Sequence, residues 1–202
     1  MYLQVLEWKC NMIKKEIFKT ELSYIKNDDI RKSAIYMIEL LPDYFFEIPA
    51  SSTGKYHPEF AASAHGLVKH TKVAVRIAYE LLNNESINKF TEREKDLIIM
   101  ALILHDGLKS GLIKEKYTKV VHPLLISSYI KENKNNLSIN DKEVEDLCKM
   151  ISCHMGPWNT DFNGNEVLPI PKTAKERFVH MCDYLSSKKF INVEFNDLDI
   201  KY

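Results

Sequence analysis

Apolar residues in this chain recur mostly every three to four positions, the spacing that lines one face of a helix. Residues 2–26 read as one or two amphipathic helices. Asn27-Asp28-Asp29 then offers an N-cap to a helix running to about Leu41, where Pro42 stops it. The helical pattern resumes from about Ala64 to Leu82. Thr91-Glu92-Arg93-Glu94 has the form of a capping box and opens a helix through about His105. Another helix covers about Lys119 to Glu132. Asp141 can cap the next, which ends near His154 and Gly156, and a last one covers roughly Thr173 to Lys188.

Polar, proline-bearing stretches separate these helices. Residues 42–62 hold three prolines and a Ser-Ser-Thr-Gly turn, and residues 157–171 form a second long connection. Loops of this length inside a domain are often functional. Residues 107–117 form a shorter loop, and the tail after Ile191 is a short extended piece or lacks fixed structure. No internal repeat or strand-rich stretch is present. The expected fold is all-α, a bundle of about six to eight helices with two long loops. Residues 1–41 pack on or extend a domain spanning 42–192, and 193–202 form a C-terminal tail.

Composition narrows the class. With 202 residues, 45% of them apolar, one core can form. No apolar run reaches the roughly 18 residues of a membrane-spanning helix, and the N-terminus mixes Glu and Lys into its apolar stretch, unlike a secretory signal. A cytoplasmic protein that does not engage membranes is the expectation. Cys10, Cys148, Cys153 and Cys182 form no CxxC pair and are read as reduced, packed thiols. Lys plus Arg and Asp plus Glu balance at 28 each, so no bulk field draws nucleic acid. The tract from Lys109 to Lys119 is the best local basic patch, and a solvated loop is its simpler reading.

The candidate chemistry lies in a series of His and Asp residues. In ALILHDGLKSG an apolar helix ends in adjacent His105 and Asp106, both good ligand types for Zn, Mn or Fe. Adjacent residues on a helix point about 100° apart, so both reach one ion only where the helix is ending, and Gly107 supplies such an ending. His70 sits inside the preceding helix, His122 starts the next, His154 ends the one after, and Asp183 lies within the last. Asp in a helix interior is unfavourable unless exposed or used. Each residue alone is unremarkable; five segments presenting them in turn is a sharper pattern.

The order His70, His105-Asp106, His122, His154, Asp183 resembles the HD superfamily of metal-dependent phosphohydrolases. GLVKHT is similar to a Gly-Leu-x-x-His-Thr segment of HD-type exoribonucleases, HDGLKSG to the His-Asp-x-x-Lys signature, and HMCDYLSS to the last helix with its closing Asp. The resemblance covers about residues 54–190. It implies that His70, His105, Asp106 and Asp183 hold metal, with His122 and His154 the additional histidines of two-metal members and Asp106 the bridge. It implies one or two divalent transition metals, Fe, Mn or Zn, with Mg or Ni as further options. Two such ions clamp the attacking and leaving oxygens of a phosphoryl group.

Asp106 and Lys109 are then the catalytic residues, Lys109 facing the phosphate. Lys55, His57, Lys109 and Trp158 are candidate substrate contacts; Trp158 and Phe162 can stack on a base or pin their loop to the core, the latter being the simpler reading. His180 shares a face with Asp183 and either orients a ligand or is a satisfied core histidine, the latter again simpler. His65 matches no role. The implied activity is hydrolysis of a phosphoester in a nucleotide or nucleotide-like substrate by metal-activated water. The alternatives are a 3'-5' exonuclease or phosphodiesterase on single-stranded RNA or DNA, and a non-catalytic nucleotide-binding module. Homo-oligomerisation is left open.

Overall fold

The structure is a computed structural model that describes residues 13–52 and 57–201. In chain order its helices are α1 (Lys14–Ile17), α2 (Lys19–Ser23), α3 (Asp28–Leu40), α4 (Gly66–Leu82), α5 (Glu92–Leu104), α6 (His122–Glu132), α7 (Asp141–Ser152) and α8 (Ala174–Ser186). One short hairpin, β1 (Phe195–Asn196) with antiparallel β2 (Asp199–Ile200), follows. The fold is all-α as expected, and no described helix is long and apolar enough to cross a membrane. Residues 1–12, with Cys10, lie outside the described residues, so only α1 and α2 represent the expected N-terminal helices.

Local chemistry explains most boundaries. The Asn27 side chain accepts from the backbone N–H groups of Asp29 and Ile30 and so starts α3. Thr91 and Glu94 form the expected capping box of α5. Two further boxes, Asn140 with Glu143 and Thr173 with Glu176, start α7 and α8. Asp141 is therefore not the cap of α7; Asn140 is. Helix α6 begins at His122 rather than Lys119 and has Pro123 in its first turn, where a missing N–H costs nothing. The tail forms the β1–β2 hairpin, turned by Asp197 at φ 54°.

The helix that delivers His105 is built to be surrounded. From Asp96 to Leu104 every residue of α5 is buried. A helix that is apolar all round belongs inside a bundle. Accordingly α5 packs on α3, α4, α7 and α8, while α4 also lies on α8, and α6 on α7. The C-terminus of α5 thus carries His105 and Asp106 into the middle of the molecule.

Gly107 does not end α5 through a left-handed backbone. Its φ is ordinary, and the first positive-φ glycine after the helix is Gly111, at 91°. What Gly107 provides is space: a Cβ there would lie 2.6 Å from a Leu41 methyl and 3.1 Å from an Ile126 methyl. Its bare Cα lets α3 and α6 close over the helix end.

The 42–62 connection is more ordered than its prolines suggest. It forms two 3-10 turns, Asp43–Phe46 and Glu59–Ala61, and buries Tyr44, Phe45 and Phe46. Its carbonyls take up N–H groups at the start of α4: His65 N donates to Glu47 O at 3.0 Å and Leu67 N to Ile48 O at 3.0 Å. His65, which matched no motif, has a structural role here. At φ 61° it turns the chain into α4, with Nδ1 2.6 Å from the Phe46 carbonyl.

Candidate metal centre

Five chain segments bring six side chains together. α4 supplies His70, the end of α5 supplies His105 and Asp106, and the start of α6 supplies His122. His154 comes just after α7 and Asp183 from α8. His70, His105, Asp106, His122 and His154 are all 2% exposed or less, so bulk water does not reach their polar atoms. The Asp183 side chain, 16% exposed, is where this cluster meets solvent.

The imidazoles are aimed by their Nδ1 atoms. His105 Nδ1 is 2.7 Å from Leu102 O, His122 Nδ1 2.7 Å from Lys119 O, and His154 Nδ1 2.8 Å from Ile151 O. A carbonyl only accepts, so each Nδ1 carries hydrogen and each neutral ring presents the Nε2 lone pair to the centre. His70 reaches the same state through a hydroxyl. Ser186 Oγ donates to Asp183 O at 2.7 Å and so accepts from His70 Nδ1 at 3.0 Å.

The two Asp106 oxygens divide the rings into pairs. Oδ2 lies 3.5 Å from His105 Nε2 and 3.7 Å from His70 Nε2. Oδ1 lies 2.9 Å from His122 Nε2 and 3.7 Å from His154 Nε2. Asp183 Oδ1 closes the first group, 3.0 Å from His70 Nε2 and 3.4 Å from His105 Nε2. His122 and His154 Nε2 are 3.3 Å apart.

With the Nδ1 hydrogens committed, these are lone pairs facing lone pairs. His70 Nε2, His105 Nε2 and Asp106 Oδ1 have no hydrogen-bond partner among the described residues. Buried, unpaired acceptors are costly unless a cation completes them. Two triads meet the spacing an ion needs, His70–His105–Asp183 and His105–Asp106–His154, each with ligand atoms within 4.8 Å of one another. The residues present therefore fit a metal.

Protonation agrees. Burial raises the carboxyls of Asp106 and Asp183, but their neighbours, Lys109, His105 and His122 for Asp106 and His105 and His70 for Asp183, hold both well below the ordinary range. Burial, then His105, pull His154 down to about 3. Burial also lowers His70. For His105 burial is outweighed by Asp106 and Asp183, so its basicity rises. Carboxylates and mostly neutral imidazoles are the forms that ligate metal.

Around the cluster, the sequence candidates divide. Lys109 is 9% exposed and its Nζ is 2.6 Å from Asp106 Oδ2, so it lies at the centre. His57 packs edge-on against His70 with ring centroids 4.8 Å apart, and its buried Nδ1 has no partner among the described residues. Burial, then the neighbouring His70, keep His57 neutral, with its pKa down at about 3. Lys55 lies outside the described residues. Trp158 is 54% exposed and stacks on Tyr184, and Phe162 is 96% exposed, so neither pins its loop to the core. In the 109–119 tract Lys109 turns inward, Lys119 pairs with Glu115 at 2.6 Å, and residues 112–117 are exposed. Among the described residues the thiols of Cys148, Cys153 and Cys182 are buried, with burial pushing Cys148 up to about 11 and Cys153 up to about 12.

Ser186 and Tyr44 escaped the sequence reading, and Gly156 was read only as a helix end. Ser186 fixes His70; its spacing from Asp183, one helical turn, was the signal available. Tyr44 OH accepts from Ser110 N at 3.1 Å and donates to Gly111 O at 2.5 Å, tying down the turn that carries Lys109. Nothing local in the sequence marks that contact across 66 residues. Gly156, at φ 61°, admits His180, whose Nδ1 donates to His154 O at 2.6 Å; a Cβ at Gly156 would strike that ring. His180 is half-buried and holds a ligand's backbone, which is neither a core role nor direct orientation of an imidazole.

No curated protein and no solved structure matches the chain. A family model described as HD domain matches residues 67–188, which contain all six clustered residues and more than half of the 202-residue chain. The chain belongs to the HD domain family.

Proposed function

We propose that this protein hydrolyses a phosphoester bond in a nucleotide or nucleotide-like substrate, with one or two divalent transition metals held by His70, His105, Asp106, His122, His154 and Asp183. The observation that carries the reading is the division of Asp106: each carboxylate oxygen faces its own pair of imidazole Nε2 atoms. Were two ions bound, His70, His105, Asp106 and Asp183 would hold one, and Asp106, His122 and His154 would hold the other. Fe, Mn and Zn all accept such mixed nitrogen and oxygen ligands. When bound, these ions supply Lewis acidity and bring the pKa of a water near neutrality.

The chain's own residues supply the rest. Lys109, held beside Asp106, is a cation placed to stabilise charge on the phosphoryl oxygens. Tyr44 fixes the backbone that carries Lys109. His57 is neutral and offers beside His70 a buried nitrogen with no partner among the described residues, suited to a hydrogen bond with the substrate. No other nucleophile is needed.

The test is a panel of nucleoside mono- and triphosphates, dinucleoside polyphosphates, cyclic mono- and dinucleotides, and short single-stranded RNA and DNA, assayed with Mn and Fe. Turnover of a soluble nucleotide that is lost in Asp106→Ala supports the reading. Turnover confined to single strands makes the protein an exonuclease. Tight metal and nucleotide binding with no turnover of any member makes it a binding module.

A further inference from the structure

Besides Asp183, α8 carries His180 and Tyr184. Trp158, on the loop after His154, stacks on Tyr184 with centroids 5.6 Å apart and planes 14° apart. His180 lies 6.2 Å from the Trp158 ring and 6.0 Å from Tyr184, and its Nδ1 is bonded to the His154 carbonyl. Lys188 Nζ stands 3.5 Å from the Tyr184 centroid and 5.8 Å from that of Trp158. The two segments that build this surface each also supply a residue of the cluster, His154 and Asp183.

The surface is exposed where a structural role would bury it. Trp158 is 54% and Tyr184 38% exposed, although large aromatic rings are normally placed to bury their faces. The stack leaves Trp158 more than half exposed. Asp183, next to Tyr184 in the chain, is the most exposed of the six clustered residues. An aromatic stack with the Lys188 ammonium over the Tyr184 face is thus carried by the two segments that also supply His154 and Asp183.

We propose that Trp158 and Tyr184, with Lys188, form the subsite for the aromatic base of the nucleotide substrate, a reading that rests on the phosphohydrolase function above. The recognition is by stacking. Every base has a π-face, so the subsite accepts purines and pyrimidines alike and prefers the larger purines. Loss of one base–aromatic stack weakens binding roughly 5- to 150-fold.

The 202-residue chain carries two tryptophans, so Trp8→Phe leaves Trp158 as the reporter. Adenosine, adenosine monophosphate, uridine monophosphate and ribose 5-phosphate are titrated against its fluorescence. The expected result is saturable quenching by the three base-bearing ligands, weaker for uridine monophosphate, and none by ribose 5-phosphate. Tyr184→Ala should weaken adenosine monophosphate binding roughly 5- to 150-fold, Tyr184→Phe should restore it, and metal content should stay at the wild-type level in both. Absence of quenching by any base, equal quenching by ribose 5-phosphate, or wild-type affinity in Tyr184→Ala overturns the proposal. The ligand series needs only the Trp8→Phe chain, so it decides even where a Tyr184 variant fails to fold. Hydrolysis without base-dependent quenching removes the subsite and leaves the phosphohydrolase reading; quenching without hydrolysis does the reverse.

Discussion

Ser186 shows how a single hydroxyl sets the chemistry of a ligand it does not replace. Its one hydrogen goes to the Asp183 carbonyl, which forces its lone pair toward His70 Nδ1 and leaves His70 Nε2 facing the centre. Groups that orient metal-bound histidines typically account for 10- to 100-fold in metal affinity. Ser186→Ala should therefore weaken metal binding by roughly that factor while the fold persists, as calorimetric titration with Mn or Zn would show. An unchanged affinity would mean that the Ser186 hydroxyl does not orient His70. At this scale the six His and Asp residues were legible because their types and order are visible in one dimension. Ser186, Tyr44 and Gly156 were not, because each acts on backbone or ring atoms of residues distant in the chain or depends on a turn geometry.

At the scale of elements, α8 places Asp183 by virtue of a well-defined start. Thr173 accepts from Glu176 N, while the Glu176 carboxylate accepts from Lys172 N at 2.6 Å and Thr173 N at 3.1 Å. Thr173→Ala should cost about 1 kcal/mol of stability in urea unfolding. The same box carries a pH dependence. Burial raises the Glu176 carboxyl, but its bonds from backbone N–H groups prevail and its pKa falls below the ordinary value. A depressed carboxyl contributes stability that is present above its unfolded pKa and lost as pH falls through the folded one. Wild type should lose stability on acidification below about pH 4.3, and Glu176→Gln should lose less over that range; an identical acid slope in both would refute the assignment. Capping boxes and helical periods are local, and α3, α4, α5 and α8 were readable from them to within a few residues. The 42–62 connection was not, because its order comes from burying Tyr44, Phe45 and Phe46 and from covering the start of α4, neither of which leaves a period.

Across the whole molecule, both chain ends are tied to α4 by one buried cation. Lys72 is fully buried, with Nζ 2.6 Å from Asp199 on β2 and 3.5 Å from Glu21 on α2. Removing one partner of a buried ion pair typically costs 3–5 kcal/mol. Asp199 remains to compensate Lys72, and burial raises the Glu21 carboxyl, so Glu21→Ala should destabilise by less than that in urea unfolding, without altering metal content. α4 also carries His70, so the same helix that anchors the ends holds a ligand at the centre. The helical class and the convergence of segments were foreseeable from periodicity and motif order. The arrangement around α5 was not, because a helix buried on all sides has no polar face to betray its neighbours.

The measurement that bears most directly on this account is the metal content of the protein purified without chelator, alongside Asp106→Ala. Wild type should carry one to two equivalents of transition metal, and folded Asp106→Ala should carry none, since Asp106 faces all four imidazoles. A wild-type protein that neither contains nor rebinds metal, or an Asp106→Ala variant that retains the wild-type amount, would contradict it.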